Sequence, residues 1–331
     1  MTDALVTGPH DRTSGPDRGT PAAPAAPGHV PATSDEQALA DAVRRRCAGP
    51  AGRVAIARAL RNIRCRASLT QNQLAQEAAV CLSTVARYET WRDNGKLKSQ
   101  IVLALARASR ATAEEVDCLG KLVDMQLQGW WVGNAVPSHD VPLMSFEASG
   151  DEELLYAGGT VPDLLQTDAY AWELREGQPS SEDRNPGGHG QHPTRWLRTA
   201  ALDKTPVHLQ AILDEGALHR RVGSREAMAQ QCEHLLLLAH RHNVEMRVLP
   251  FDAGVTPVGA CGPFTVVSWK DTTHPSGRVG VVHQPRLGGG SYSDDSQVVG
   301  AYRRSFAQLR SLSLDKVASL HLISEARLRF A

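Results

Sequence analysis

The chain has no run of apolar residues as long as a membrane span, so no transmembrane helix is expected. Its opening stretch, MTDALVTGPHDRTSGPDRGT, lacks an apolar segment. No secretory signal is therefore expected, and the cytoplasm is the expected compartment. There is no C-x-x-C pair: Cys47, Cys65, Cys81, Cys118, Cys232 and Cys261 are scattered. That spacing argues for reduced thiols rather than disulfides or a zinc site. Net charge is also missing, with 36 basic residues against 36 acidic ones. The whole chain is thus no general polyanion binder, and charge that matters must be local. Residues 1–33 hold no Phe, Tyr or Trp and are rich in Pro, Gly, Ala, Ser and Thr. Too little apolar surface is available there to offset ordering entropy, which predicts a disordered tail.

What is present is enough for two domains. A short helix is expected over Asp35–Cys47, ended by Gly49-Pro50-Ala51-Gly52, so 34–52 reads as helix and linker. Residues 53–128 read as a five-helix all-α bundle. Leu60, Ile63 and Ala67 form the apolar stripe of a first helix. Thr70 with Gln73 three residues on makes a capping box. Leu74, Ala75 and Ala78 face inward on the second helix, and Val80 plugs a tight turn. The third helix starts near Leu82 and ends at Glu89 or Thr90. Val85 and Tyr88, with part of Leu82, point inward; Ser83, Thr84, Ala86 and Arg87 point outward. Ile101, Leu103, Leu105 and Ala106 mark a fourth helix, and Val116, Leu119, Leu122 and Val123 a fifth. Between Arg53 and Lys98 there are nine basic residues and three acidic ones, a local excess of six. Concentrated positive charge beside two helices joined by a turn suits a phosphate backbone.

Leu69-Thr70-Gln71, Leu74-Ala75, Ala78, Val80, Ser83-Thr84-Val85, Arg87 and Glu89 together resemble the phage-repressor/Cro type of helix-turn-helix domain. The resemblance implies a salt bridge between Arg64 and Glu89 that locks the third helix to the scaffold. It implies a phosphate contact for Gln71, at a helix N-terminus. Leu82, Ser83, Thr84, Ala86 and Arg87 then form the DNA-facing surface, with Leu82 and Ser83 nearest the base edges. Arg87 can reach a guanine or a phosphate, and Lys96 and Lys98 suit the backbone. One departure stands out: Thr90-Trp91 follow Glu89 where the family has a small polar residue and Gly, and Gly95 comes later.

Residues 129–142 have linker composition, with Trp130-Trp131 read as an apolar hinge. Residues 143–331 read as a mixed α/β domain. Strands are expected at 205–215, 244–251, 262–270 and 277–285, the last two antiparallel. Helices are expected from Thr167, over 216–243, and over 301–314 and 316–330. VPDLLQTDAYA (161–171), LDEGALHRRVG (213–223), MAQQCEHL (228–235), VLPFDAG (248–254) and CGPFTVV (261–267) resemble the C-terminal domain of unknown function of actinobacterial, antitoxin-like regulators. That likeness implies transcriptional control, often with a small partner protein encoded nearby. The candidate ligand or partner region is Leu164, Leu165, Gln166, Thr167, Tyr170, Arg195, Arg198, Asp214, Glu215 and His283. Asp163 replaces a Gly of the signature, Thr199 a Gln, and His283-Gln284 stand where Tyr and Glu are usual. These changes bear on whether the family response is kept.

Catalytic chemistry finds little footing. His240 and His242 are two apart and diverge on a helix, no serine lies in a G-x-S-x-G elbow, and Gly288-Gly289-Gly290 reads as a surface turn. No catalytic residue, metal or cofactor is expected. The reading is a homodimeric, sequence-specific regulator of double-stranded DNA, not an enzyme and not membrane-bound. The alternative is an interaction or antitoxin-like adaptor located on DNA, with a cryptic catalytic module least favoured.

Overall fold

The computed structural model describes residues 48–91, 96–125, 140–176, 198, 207–254, 256, 262–270, 278–286 and 289–331. By its internal contacts the chain separates into Met1–Ala32 and Thr33–Ala331, and all described residues belong to the second unit. The expected tail over 1–33, the helix over Asp35–Cys47 and the Trp130-Trp131 hinge lie outside the described residues.

The first half is helical: α1 (Gly49–Arg66), α2 (Gln71–Glu77), α3 (Leu82–Tyr88), α4 (Ser99–Ala108) and α5 (Ala113–Met125). Pro50 stands in the first turn of α1, where a missing N–H costs nothing. Thr70 caps α2 as a capping box: its hydroxyl accepts from Gln73 N, and the Gln73 side chain accepts from Thr70 N. The α2–α3 turn carries Ala79 at φ 53°, a left-handed conformation unusual for a residue with a Cβ. Leu74 and Ala75 from α2, and Val85 and Tyr88 from α3, are buried as their spacing predicts. Leu82 is not part of the core; it is 48% exposed.

The second half opens on α6 (Val141–Ser149) and contains one six-stranded sheet in the order β3-β2-β1-β4-β5-β6. The strands are β1 (Glu152–Ala157), β2 (His208–Asp214), β3 (Val244–Leu249), β4 (Phe264–Lys270), β5 (Arg278–Arg286) and β6 (Gly289–Ser293). β1, β2 and β3 run parallel, and β4, β5 and β6 continue antiparallel from β1. The helices are α7 (Asp168–Glu176), α8 (Glu215–His219), α9 (Arg225–Ala239), α10 (Ser296–Leu312) and α11 (Lys316–Phe330). Leu155, Leu209, Ala211 and Met246 pack on α9 and α11 through Met228, Cys232, Leu235 and Ile323. The opposite sheet face packs on α10 through Val299, Phe306 and Leu309.

Two expectations are corrected. The helix expected over 216–243 is two helices: Arg220 is extended, Gly223 adopts φ 65°, and the Ser224 hydroxyl accepts from Ala227 N to start α9. Gly289 and Gly290 are not a surface turn but the first residues of β6, opposite Arg286 and Pro285. The two halves share packing. Phe146, Val267, Trp269, Val279 and Val281 share one core with α1–α5. Ser145 joins them further, its hydroxyl accepting from Ala51 N and donating to Ala48 O, both at 2.8 Å.

Candidate functional site

The outward surface of α3 is open. Leu82, Ser83, Ala86 and Arg87 are exposed and Thr84 is half-buried. Lys96 and Lys98 are exposed nearby in sequence, and Lys98 N donates to Tyr88 Oη at 3.1 Å. Cys81, just before α3, lies 3.1 Å from Ser83 Oγ and 3.0 Å from Thr84 Oγ1. Those hydroxyls bring its exposed thiol down to about 7. Thiolate at this position places negative charge at the start of α3.

Behind this surface is a rigid lock. Arg64 Nε and Nη2 donate to Glu89 Oε1 and Oε2 at 2.6 and 2.9 Å. The bonds to Glu89 hold the Arg64 guanidinium above its ordinary range. Arg64 Nη1 also donates to Leu69 O at 2.8 Å, and Arg61 Nη2 to Glu89 O at 3.0 Å. Gln71, expected on a phosphate, donates its side-chain amide to Glu89 Oε2 at 2.8 Å. It therefore helps fix α3 from α2.

The local basic excess is mostly scaffold. Arg58 donates to Asp294 O at 3.0 Å, and Arg66 forms a two-pronged bond to the buried Glu115 at 2.7 Å. Arg61 and Arg64 are also committed, the exposed Arg87 guanidinium lies over the Tyr88 ring, 5.3 Å from its centroid, and Lys96 and Lys98 are exposed.

Trp91 explains the departure after Glu89. It meets Phe146 of α6 edge-on with ring centroids 5.4 Å apart, and Tyr292 of β6 at 6.0 Å. An aromatic anchor to the second half thus stands near the end of α3. Burying Phe146 alone is worth about 1.5–3 kcal/mol.

The candidate ligand region divides. Leu164, Leu165 and Tyr170 are core. Gln166 donates to Val161 O at 2.7 Å, and Thr167 N donates to Gln231 Oε1 at 2.7 Å. Asp214 accepts from Gly216 N to cap α8, and Glu215 accepts from Phe251 N, both at 2.8 Å. In the structure these residues make contacts within the domain. Arg195 and Thr199 lie outside the described residues.

Arg198 and His283 are different: Arg198 anchors a polar cluster, and its charge reaches His283. Arg198 donates from Nε and Nη2 to Glu147 of α6, at 2.7 and 2.5 Å, and from Nη1 to Asp163. Burial opposes its charge, but Glu147 and Asp163 more than restore it and raise its affinity for the proton. The His283 ring lies 4.8 Å from that of Tyr292. Burial, then the Arg198 charge, pull His283 down to about 4, so it is neutral at physiological pH. Asp163 and His283 are two positions where the chain departs from the signature it resembles; the first bonds Arg198 and the second feels its charge.

Glu147, Glu153, Tyr292 and Trp91 are absent from the sequence-derived site. Glu153 is the most informative of them. It is 1% exposed, and neither carboxyl oxygen has a hydrogen-bond partner among the described residues. Burial, then the charge of Glu147, push its carboxyl well above the usual range. The geometry puts the ionised form on Glu147, which grips Arg198, and the proton on Glu153. A Glu on a strand face otherwise given to Leu155 and Ala157 was the available signal.

Residues 142–325, more than half of the chain, match the family model described as a domain of unknown function (DUF5753). No curated protein and no solved structure matches the chain. No helix among the described residues is long and apolar enough to cross a membrane.

Proposed function

Because this chain belongs to the family described as a domain of unknown function (DUF5753), whose name assigns no activity, we propose a function from the site itself. The protein is a sequence-specific DNA-binding regulator of transcription. The observation that carries this reading is the pairing of an open α3 surface with a buried lock behind it. Ser83, Ala86 and Arg87 face solvent while Glu89, Arg64 and Gln71 hold the helix from beneath. A five-helix helix-turn-helix bundle of this kind lays its second motif helix in the major groove. The second amide N–H of Gln71 then meets a phosphate, as do Lys96 and Lys98.

The family domain senses a ligand or partner protein, or holds two copies together. Two copies on a near-palindromic site set their α3 helices one turn apart, ~34 Å. The α3 surface has few hydrogen-bonding groups, so spacing and DNA shape supply part of the specificity.

The test is binding of Arg87→Ala and Ser83→Ala to the protein's own upstream DNA at ~200 mM salt. Arg87→Ala should cost about 1–3 kcal/mol on the specific site. Ser83→Ala should cost less, because a hydroxyl discriminates weakly. Both should lose less on unrelated DNA. Equal losses on the two DNAs would show contact with phosphates alone and overturn base reading by these residues.

A further inference from the structure

Glu153 is a buried carboxyl bonded to nothing among the described residues. β1 places it opposite Val267, on the sheet face that α6 covers. Both Glu147 and Arg198 lie near enough to act on it electrostatically. The charge there is lopsided. Among the described residues Glu147 and Asp163 face one cation, Arg198, with the protonated Glu153 as a third carboxyl, and Asp140 acts on Glu147 as well. Three N–H groups of Arg198 are already given to Glu147 and Asp163. An anionic guest would therefore find little to bind and much to repel it. A guest with cationic N–H groups would supply what Glu153 lacks: charge and donors together. Tyr292, on which Glu147 and Arg198 also act, has its ring centroid 6.1 Å from that of Phe146, and aromatic rings favour organic cations. No group of three His, Cys, Asp or Glu side chains among the described residues is arranged to hold a metal ion. The geometry thus favours an organic cation over an inorganic one.

We propose that Glu153, with Glu147 and Asp163, forms a binding site for a small organic cation, a primary ammonium or guanidinium compound. We propose also that this compound is the signal of the C-terminal half, a second clause that rests on the regulatory reading above. On binding, the cation donates to the Glu153 carboxylate and the Glu153 proton leaves to solvent. Phe146 on α6 and Tyr292 on β6 carry the change to Trp91, next to α3.

The test is calorimetry on the full chain with n-butylammonium, agmatine and, as anionic control, butyrate, near neutral pH and at matched ionic strength. Saturable binding of a cation with release of about one proton, read from two buffers of different ionisation enthalpy, is the expected result. Glu153→Gln should lower the affinity at least about tenfold and abolish the proton release. Asp163→Asn, at a more exposed position, should weaken binding while the fold is kept. No saturable binding of either cation, unchanged binding in a folded Glu153→Gln, or equal binding of butyrate would each overturn the site. DNA affinity with and without the cation is measured separately. Cation binding that leaves DNA affinity unmoved would overturn the signalling clause and leave the site standing.

Discussion

Arg198→Met is expected to remove about 3–5 kcal/mol of stability. Arg198 is the one described cation in its cluster, 7% exposed, and it satisfies both oxygens of Glu147 and one of Asp163. Met fills much of the space and supplies none of the charge. Glu147 is then left buried beside the already protonated Glu153, so it too must take a proton that the unfolded chain would release. The sign of the pH dependence follows. A carboxyl whose folded proton affinity is raised contributes stability below its unfolded range and loses it as pH rises toward the folded value. The loss in Arg198→Met should therefore be larger at ~pH 8 than at ~pH 5. Arg198→Lys should recover only part, because an ammonium cannot match the two-pronged bond to Glu147. Urea melts at the two pH values check this. A loss under about 1 kcal/mol, the range of a surface pair, would mean that the cluster is solvated and the burial argument wrong.

Glu89→Met should cost a similar amount, about 3–5 kcal/mol. The Glu89 side chain is 1% exposed and takes three hydrogen bonds, two from Arg64 and one from Gln71. Its loss leaves the Arg64 charge, at 13% exposure, without a carboxylate and removes the side-chain ties from Glu89 to α1 and α2, leaving the Arg61 bond to Glu89 O. Specific DNA affinity should fall with stability, since the α3 surface is no longer held in place. Arg64→Met/Glu89→Met should cost clearly less than the two single changes together, because the double variant leaves no buried charge alone. A coupling near zero between the two positions in urea melts would show that the pair is not a unit.

The first half was legible in sequence because its signals are local. Thr70 and Gln73 announce a cap, and Leu74, Val85 and Tyr88 fall at helical spacing. The same spacing could not show where the arginines of α1 go. Arg58 reaches Asp294, far along the chain, and Arg66 reaches Glu115, so a charge run that suits phosphate is largely internal strutting. In the second half, β2 is marked by alternation and β3 to β5 by their valines, whereas β1 carries no such mark. EELLYA is buried on both faces, against α9 and α11 on one side and α10 on the other, so it shows no alternation. The Gly-rich β6 lacks strand composition and forms because β5 offers an edge. The polar cluster was half legible. Arg198 and His283 carried a signature, but Glu147 and Glu153 matter through partners that only the sheet and α6 bring together.

Selection of DNA from a random-sequence pool by the full-length protein at ~200 mM salt tests base reading by α3 most directly. The expected result is enrichment of one near-palindromic sequence with half-sites a helical turn apart, ~34 Å, weakened or changed in Arg87→Ala. A bound pool that shares no sequence, or one that Arg87→Ala reproduces unchanged, would contradict recognition through α2 and α3.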